Sequence, residues 1–322
     1  MEIKRLVLSP LSTNCYLIKT SENSGVVIDP ADDANKILKE AEKMGMNIEK
    51  ILLTHGHFDH FSAANKIIAE LQEAETKKAK EAAKGLTDTA KEEVKSAKEA
   101  LKAAKEIVKT AKEAVKAAKA VLKAAADDAA KAVAKTAVTA AEAQLTKAEE
   151  AVKVKEEEKK TAETKLESVK FDKDSYNPTE IAVYIHERDA VMLSDPNKSL
   201  AYFCPTMEFN AVDNPTTIKD GEKIEQGGVT FEVMHTPGHS AGSVCYIVKE
   251  EDKNYMFAGD TIFRDSIGRS DGYSGDYIIQ KDTLKKLREL EEDYIIYPGH
   301  GEFTTLSEEK IYNPFINGQY PL

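Results

Sequence analysis

Thr54-His55-Gly56-His57-Phe58-Asp59-His60 sets three imidazoles and a carboxylate within six residues. Imidazole nitrogen and carboxylate oxygen are, with thiolate, the usual donors to zinc. Packing gives no reason to crowd such groups, so the run reads as part of a metal site. It follows the apolar run Ile51-Leu52-Leu53. That places it where a strand meets a turn, and loops held by a rigid scaffold are where binding groups collect.

Three more segments repeat this setting. Thr236-Pro237-Gly238-His239-Ser240-Ala241-Gly242-Ser243 follows a strand candidate. Ala258-Gly259-Asp260-Thr261 ends a second, and Tyr297-Pro298-Gly299-His300-Gly301 ends a third. Strands are expected at Ile181–Ile185, Val229–Met234, Ser243–Val248, Tyr255–Ala258 and Tyr294–Tyr297, with helices over Asp32 to Met44 and Asp282 to Leu290. The apolar runs Leu6-Val7-Leu8, Tyr16-Leu17-Ile18 and Val26-Val27-Ile28 make the start of the chain β-rich. His186 and His235 lie outside the motifs and suit packing or support of a ligand.

The 322 residues carry a net charge of −11, no Trp and 31% charged side chains. An acidic chain of this kind does not suggest nucleic acid or anionic lipid as a partner. Cys15, Cys204 and Cys245 are odd in number and form no Cys-x-x-Cys pair, so neither a disulfide framework nor a thiolate zinc site is indicated. They read as small buried hydrophobes. Met1 to Pro10 lacks the apolar stretch of a signal peptide, and no window approaches a membrane span. A cytoplasmic protein is the expectation.

Composition divides the chain into 1–71, 72–175 and 176–322. The middle segment is mostly Ala, Lys and Glu, with no Pro and one Gly, Gly85. Val94, Leu101, Val108, Val115 and Leu122 recur every seven residues, and Ala97, Ala104, Ala111, Ala118 and Ala125 follow three positions later. This is a heptad with alanine at one core position. Val138, Leu145, Val152 and Leu166 form a second series in a shifted phase, with Ala141, Ala148, Ala162 and Val169 as partners and with Lys155 and Lys159 interrupting. A turn at Asp127-Asp128 then gives an antiparallel coiled-coil hairpin with arms of roughly 60 Å. Thr89 and Glu92 fit a capping box for the first long helix. From Lys91 to Lys123 there are ten lysines and five glutamates. Such a run reads as a solvated face, and the arm is expected to serve dimerisation or partner docking.

Taken together, His-x-His-x-Asp-His followed by His, Asp and His in these turns resembles the metallo-β-lactamase-fold hydrolases. It is most similar to the small bacterial glyoxalase-II-like (hydroxyacylglutathione hydrolase-like) enzymes. The resemblance covers 1–71 and 176–322, including Ile262 to Arg269 and Asn313-Pro314-Phe315. The inserted arm has no counterpart in the family pattern. The fold it implies is a four-layer αβ/βα sandwich, here with a long inserted helical arm.

The resemblance further implies two metals, two Zn2+ with Fe or Mn as alternatives. His55, His57 and His239 would hold the first, Asp59, His60 and His300 the second, and Asp260 would bridge them. The implied reaction is hydrolysis of a thioester or ester by a metal-bridged hydroxide, oriented by the catalytic carboxylate of Asp59. A thiolate leaves readily, its acid having a pKa near 8.5, so no strong general acid is required. Arg269 matches a substrate-contacting lysine of glyoxalase II and would bind a substrate carboxylate. Phe203, Met207 and Phe209 fit the mouth or the core. Full-size glyoxalase II carries a helical domain that helps hold glutathione, whereas 22 residues follow His300 here, so a shorter substrate, another thiol carrier, or a different ester or lactone fits the resemblance as well. Gly268-Arg269-Ser270-Asp271 also resembles a segment of the mononuclear iron persulfide dioxygenases, a second function open to this fold. Lactone or β-lactam hydrolysis is a third.

Overall fold

The computed structural model describes residues 1–320. It divides into two compact units, 1–72 with 179–322, and 73–178.

In the first unit, β1 (Glu2–Leu8), β2 (Thr13–Lys19) and β3 (Ser24–Ile28) form an antiparallel meander. β4 (Asn47–Leu52), β5 (Ala182–His186) and β6 (Thr216–Ile218) extend the same sheet in parallel. A second sheet runs in the order β12-β11-β10-β9-β8-β7. Its strands are β7 (Lys223–Gln226), β8 (Val229–His235), β9 (Val244–Lys249), β10 (Asn254–Gly259), β11 (Ile295–Pro298) and β12 (Thr304–Thr305). All its neighbours are antiparallel except β10 and β11.

The two-residue period of a strand sorts these side chains into layers. Tyr16, Ile18, Val26, Ile28 and Leu52 face Phe231, Val233, Val244, Tyr246 and Phe257 in a core between the sheets. Their neighbours Cys15, Leu17, Val27 and Ile51 turn the other way, onto Ile37 and Ala41 of α1 (Ala34–Lys43) and onto Ala64 and Ile67 at the start of α2 (Ala64–Ala124). Behind the second sheet, Cys245, Ile247, Met256 and Ile296 pack with Leu287 of α4 (Tyr277–Glu289) and Leu306 of α5 (Leu306–Tyr312). The result is helix, sheet, sheet, helix. Truncating a fully buried Leu17 or Phe257 to Ala would cost about 2–5 kcal/mol. All three cysteines are free and buried.

Two helix starts depart from expectation by several residues. α4 begins at Tyr277 rather than Asp282, because Asp276 caps it, accepting from the backbone N–H groups of Ile278 and Ile279. The first turn is apolar yet exposed, which hid the helix start from a periodicity reading. The capping box at Thr89 is also corrected. Thr89 lies inside α2 and donates its hydroxyl back to the Gly85 carbonyl, 3.1 Å away.

In the second unit, α2 and α3 (Asp128–Ser168) run antiparallel. Lys98, Lys105, Lys112 and Lys119 pair with Glu163, Glu156, Glu149 and Glu142. Each step of seven forward on one helix is matched by seven back on the other. Ala90, Val94, Ala104 and Val115 of α2 and Ala134 and Ala148 of α3 are buried along the seam. Asp127 caps α3 by accepting from the Ala130 backbone N–H at 2.7 Å. Among the described residues, no helix is long and apolar enough to cross a membrane.

Candidate metal centre

The histidine run leaves the end of β4, and Phe58–His60 closes it as one 3-10 turn. His239 sits in the loop after β8, Asp260 directly after β10, and His300 two residues after β11. Strands from both sheets therefore deliver the seven candidate ligands to one edge of the sandwich.

Their donor atoms converge in three overlapping groups, His55 with His57 and His239, His55 with His60 and Asp260, and Asp59 with His60 and His300. His239 Nε2 lies 2.9 Å from His57 Nδ1 and 3.1 Å from His55 Nε2. Asp59 Oδ2 lies 3.5 Å from His300 Nε2 and 3.7 Å from His60 Nε2. Asp260 stands between the groups, with Oδ1 3.5 Å from His60 Nε2, and Oδ2 3.5 Å from His239 Nε2 and 3.6 Å from His300 Nε2. Tetrahedral ligands at about 2.0–2.1 Å from a zinc ion stand roughly 3.3 Å apart, so these separations suit shared cations.

Whether the side chains suit a metal is decided by their other nitrogens. His239 Nδ1 faces the Arg269 carbonyl at 2.5 Å, and His300 Nδ1 faces the Leu11 carbonyl at 3.2 Å. A carbonyl can only accept, so each Nδ1 carries the proton and each Nε2 presents a lone pair. His60 Nδ1 donates to Asp29 Oδ2 at 2.9 Å. Thr54 gives its hydroxyl proton to the same carboxylate, so its oxygen must accept from His55 Nδ1. Four rings thus aim bare Nε2 atoms inward, the arrangement by which metal-binding histidines are held. His60 Nε2 and Asp260 Oδ1 are buried without a hydrogen-bond partner. Buried polar atoms are rarely left so, and a cation would satisfy both.

The electrostatics agree. Burial, then the neighbouring imidazoles, push His55 and His57 well below the ordinary histidine range, so both are neutral at pH 7. Burial would likewise lower His60, but Asp59, Asp260 and Asp29 override it and raise the ring to about 10. Three carboxylates around one buried ring call for positive charge, which a proton on Nε2 supplies in the free protein and a cation would supply in its place. Burial works against the ionised form of Asp59, yet His60, His300 and the Thr13 hydroxyl hold its carboxyl below the usual range. Gly299 is required by closeness, since any side chain there would collide with Asp260 and His60.

Arg269 has partners of its own within the chain. Its guanidinium makes a bidentate pair with Asp271 at 2.6 and 2.8 Å and lies 5.5 Å over the Phe203 ring. Its backbone carbonyl meets the His239 ring. Phe203 is exposed, whereas Met207 and Phe209 pack partly buried against the first core. His186 and His235 stack at 4.1 Å, away from the ligand groups. Sequence reasoning missed Thr13, which donates to Asp59 at 2.8 Å, and the buried Asp29. Asp29 follows β3 as the ligands follow their strands, and that signal could have found it.

A family model described as the Metallo-beta-lactamase superfamily matches residues 8–128 and 143–300. An uncharacterized protein of Mycobacterium tuberculosis is 36% identical over 150 residues, 42% of this chain and 64% of that protein. The match thus spans less than two thirds of that relative. Hydroxyacylglutathione hydrolase GloC of Haemophilus influenzae is 24% identical over 99% of this chain and 100% of its own. The crystal structure of BLEG-1 B3 metallo-beta-lactamase superposes with a TM-score of 0.60 at 22% identity, covering 98% of this chain and 100% of that one. At that identity the likeness shows the fold alone.

Proposed function

Because this chain belongs to the metallo-beta-lactamase superfamily, we propose that it is a hydrolase holding two metal ions, zinc in the first instance, and cleaving a thioester of the hydroxyacylglutathione type. The paired sheets with helices outside are the metallo-beta-lactamase fold expected from the sequence. The observation that carries the proposal is the set of four rings whose Nδ1 protons are taken up, leaving Nε2 free toward two carboxylates. His55, His57 and His239 would hold one ion, Asp59, His60 and His300 the other, with Asp260 shared. Bound there, the metals would polarise an acyl carbonyl and bring an attacking water into its reactive range near neutral pH.

The chain's own groups do the rest. Asp59, kept ionised and fixed by Thr13, accepts a hydrogen bond from the attacking water and orients it. Asp29 holds His60, and the Arg269 and Leu11 carbonyls hold His239 and His300, so no ring reorients during turnover. The thioester reading takes support from the full-length relative named as a hydroxyacylglutathione hydrolase. Arg269 is assigned to the substrate rim, where a substrate carboxylate would compete with Asp271 for the guanidinium. Zinc-loaded protein should hydrolyse S-lactoylglutathione, and His57→Ala should abolish the activity. Full turnover by that variant would sink the reading.

A second reading rests on one geometric fact. His55 with His60 and Asp260, and Asp59 with His60 and His300, each form a two-histidine, one-carboxylate group, the donor set of non-haem iron oxygenases. Metal analysis separates the two: two zinc ions per chain support the hydrolase, and one iron supports a persulfide dioxygenase.

A further inference from the structure

Asp189 is a fully buried carboxylate that lies outside every candidate ligand group. It follows β5, in the first sheet, and opens the 3-10 turn Ala190–Ser194. Its Oδ2 accepts from the Gly56 backbone N–H at 3.0 Å and from the Ser240 hydroxyl at 2.5 Å. Its Oδ1 accepts from the Gly242 backbone N–H at 2.7 Å. Gly56 lies between His55 and His57, and Ser240 follows His239. One carboxylate therefore ties a loop of the first sheet to a loop of the second, and the two loops carry the three histidines of one group.

The surroundings fit that task. Gly242 leaves room for the carboxylate, since a β-carbon there would sit 2.6 Å from Asp189 Cγ. Ser240 is itself braced by Ser243, whose hydroxyl lies 2.7 Å away. A second clasp flanks the first. His186 stacks on His235 with rings 4.1 Å apart and 5° from parallel, and His235 Nε2 donates to the Ala241 carbonyl at 2.9 Å. Asp59, His60 and His300 are held by other partners, Thr13, Asp29 and the Leu11 carbonyl.

We propose that Asp189 is a positioning residue for the His55–His57–His239 group alone, setting the spacing of its three nitrogens and so its affinity for a metal. The inference rests on the reading that this group binds one of two metal ions. Loss of a partner that orients ligands typically weakens metal binding about 10–100-fold. In Asp189→Asn the shape is kept, but the amide turns a donor toward Gly242 N–H or toward Gly56 and Ser240, and at least one of the three bonds is lost.

The test is a zinc titration of the full-length protein, with cobalt(II) absorption as a second probe. Wild type should take up two ions. Asp189→Asn should take up the first-group ion about 10–100-fold more weakly and the second as wild type does. Ser240→Ala, which removes one neutral donor, should shift in the same direction by less. It keeps the inference testable should Asp189→Asn fail to fold. Wild-type uptake at both sites in both variants overturns the inference, as does equal weakening of the two sites, which marks a merely structural carboxylate. A wild-type protein that binds no metal overturns the metal reading and this inference together.

Discussion

At the scale of single residues, the site is governed by where protons sit on imidazole rings. The seven candidate ligands were legible because each is a His or Asp beside a strand end. What orients them was not. Two of the orienting groups are the carbonyls of Arg269 and Leu11, and a carbonyl is carried by every residue, so no side-chain pattern marks it. Asp29 and Asp189 are remote in sequence from the rings they serve, and only their place near a strand end hints at them. His186 offers a measurable consequence of local environment. Burial first, then His235 and Arg188, lower its pKa from 6.5 to about 4, against the pull of Glu187 and Asp220. The folded state disfavours the charged ring, so this contribution to stability is complete above about pH 6.5 and is lost as pH falls toward 4. Between pH 7 and pH 5 the melting temperature should therefore fall less in His186→Phe than in wild type. Parallel curves in differential scanning calorimetry would refute it.

At the scale of elements, the heptads of 72–175 were the clearest sequence signal after the histidines, because side chains alone set a seven-residue period. The observed ion pairs add what the period could not supply. Every lysine of the four matched pairs lies on α2 and every glutamate on α3. Two copies of α2 set side by side would bring lysine rows together, so this edge favours the chain's own hairpin over self-association through α2. Lys105→Glu with Lys112→Glu should lower the helix melting transition, and adding Glu149→Lys with Glu156→Lys should restore it. Exposed pairs are worth about 0.2–1 kcal/mol each, so the double reversal should cost on the order of 1–2 kcal/mol. Circular dichroism at 222 nm across the four variants reads it, and a quadruple variant no more stable than the double would show that the pairs are idle. Thr89 carries the opposite lesson. A Thr followed three residues later by Glu satisfies the capping pattern anywhere along a helix, and only the unbroken hydrogen bonding of α2 excludes a start there.

At the scale of the whole molecule, each unit has to be stable by its own contacts. The three apolar clusters of the sandwich draw no residue from 73–178. The ends of the first unit also meet, since Gln72 Nε2 reaches the Thr179 carbonyl at 3.5 Å. Removing the hairpin therefore leaves two neighbouring ends to be joined, and closing a short flexible loop costs little, about 0.6 kcal/mol per doubling of its length. A variant with residues 76–170 replaced by a short Gly-Ser linker should fold, keep the metal content of the full-length protein and retain its melting transition within a few degrees. Its mass in solution, set beside that of the full-length chain, reports whether the hairpin mediates association. An equal number of subunits would remove dimerisation from the hairpin's roles, and a fall to a smaller assembly would assign it there. Loss of metal from the shortened protein would contradict the independence of the two units, because every donor atom of the candidate centre lies in the sandwich.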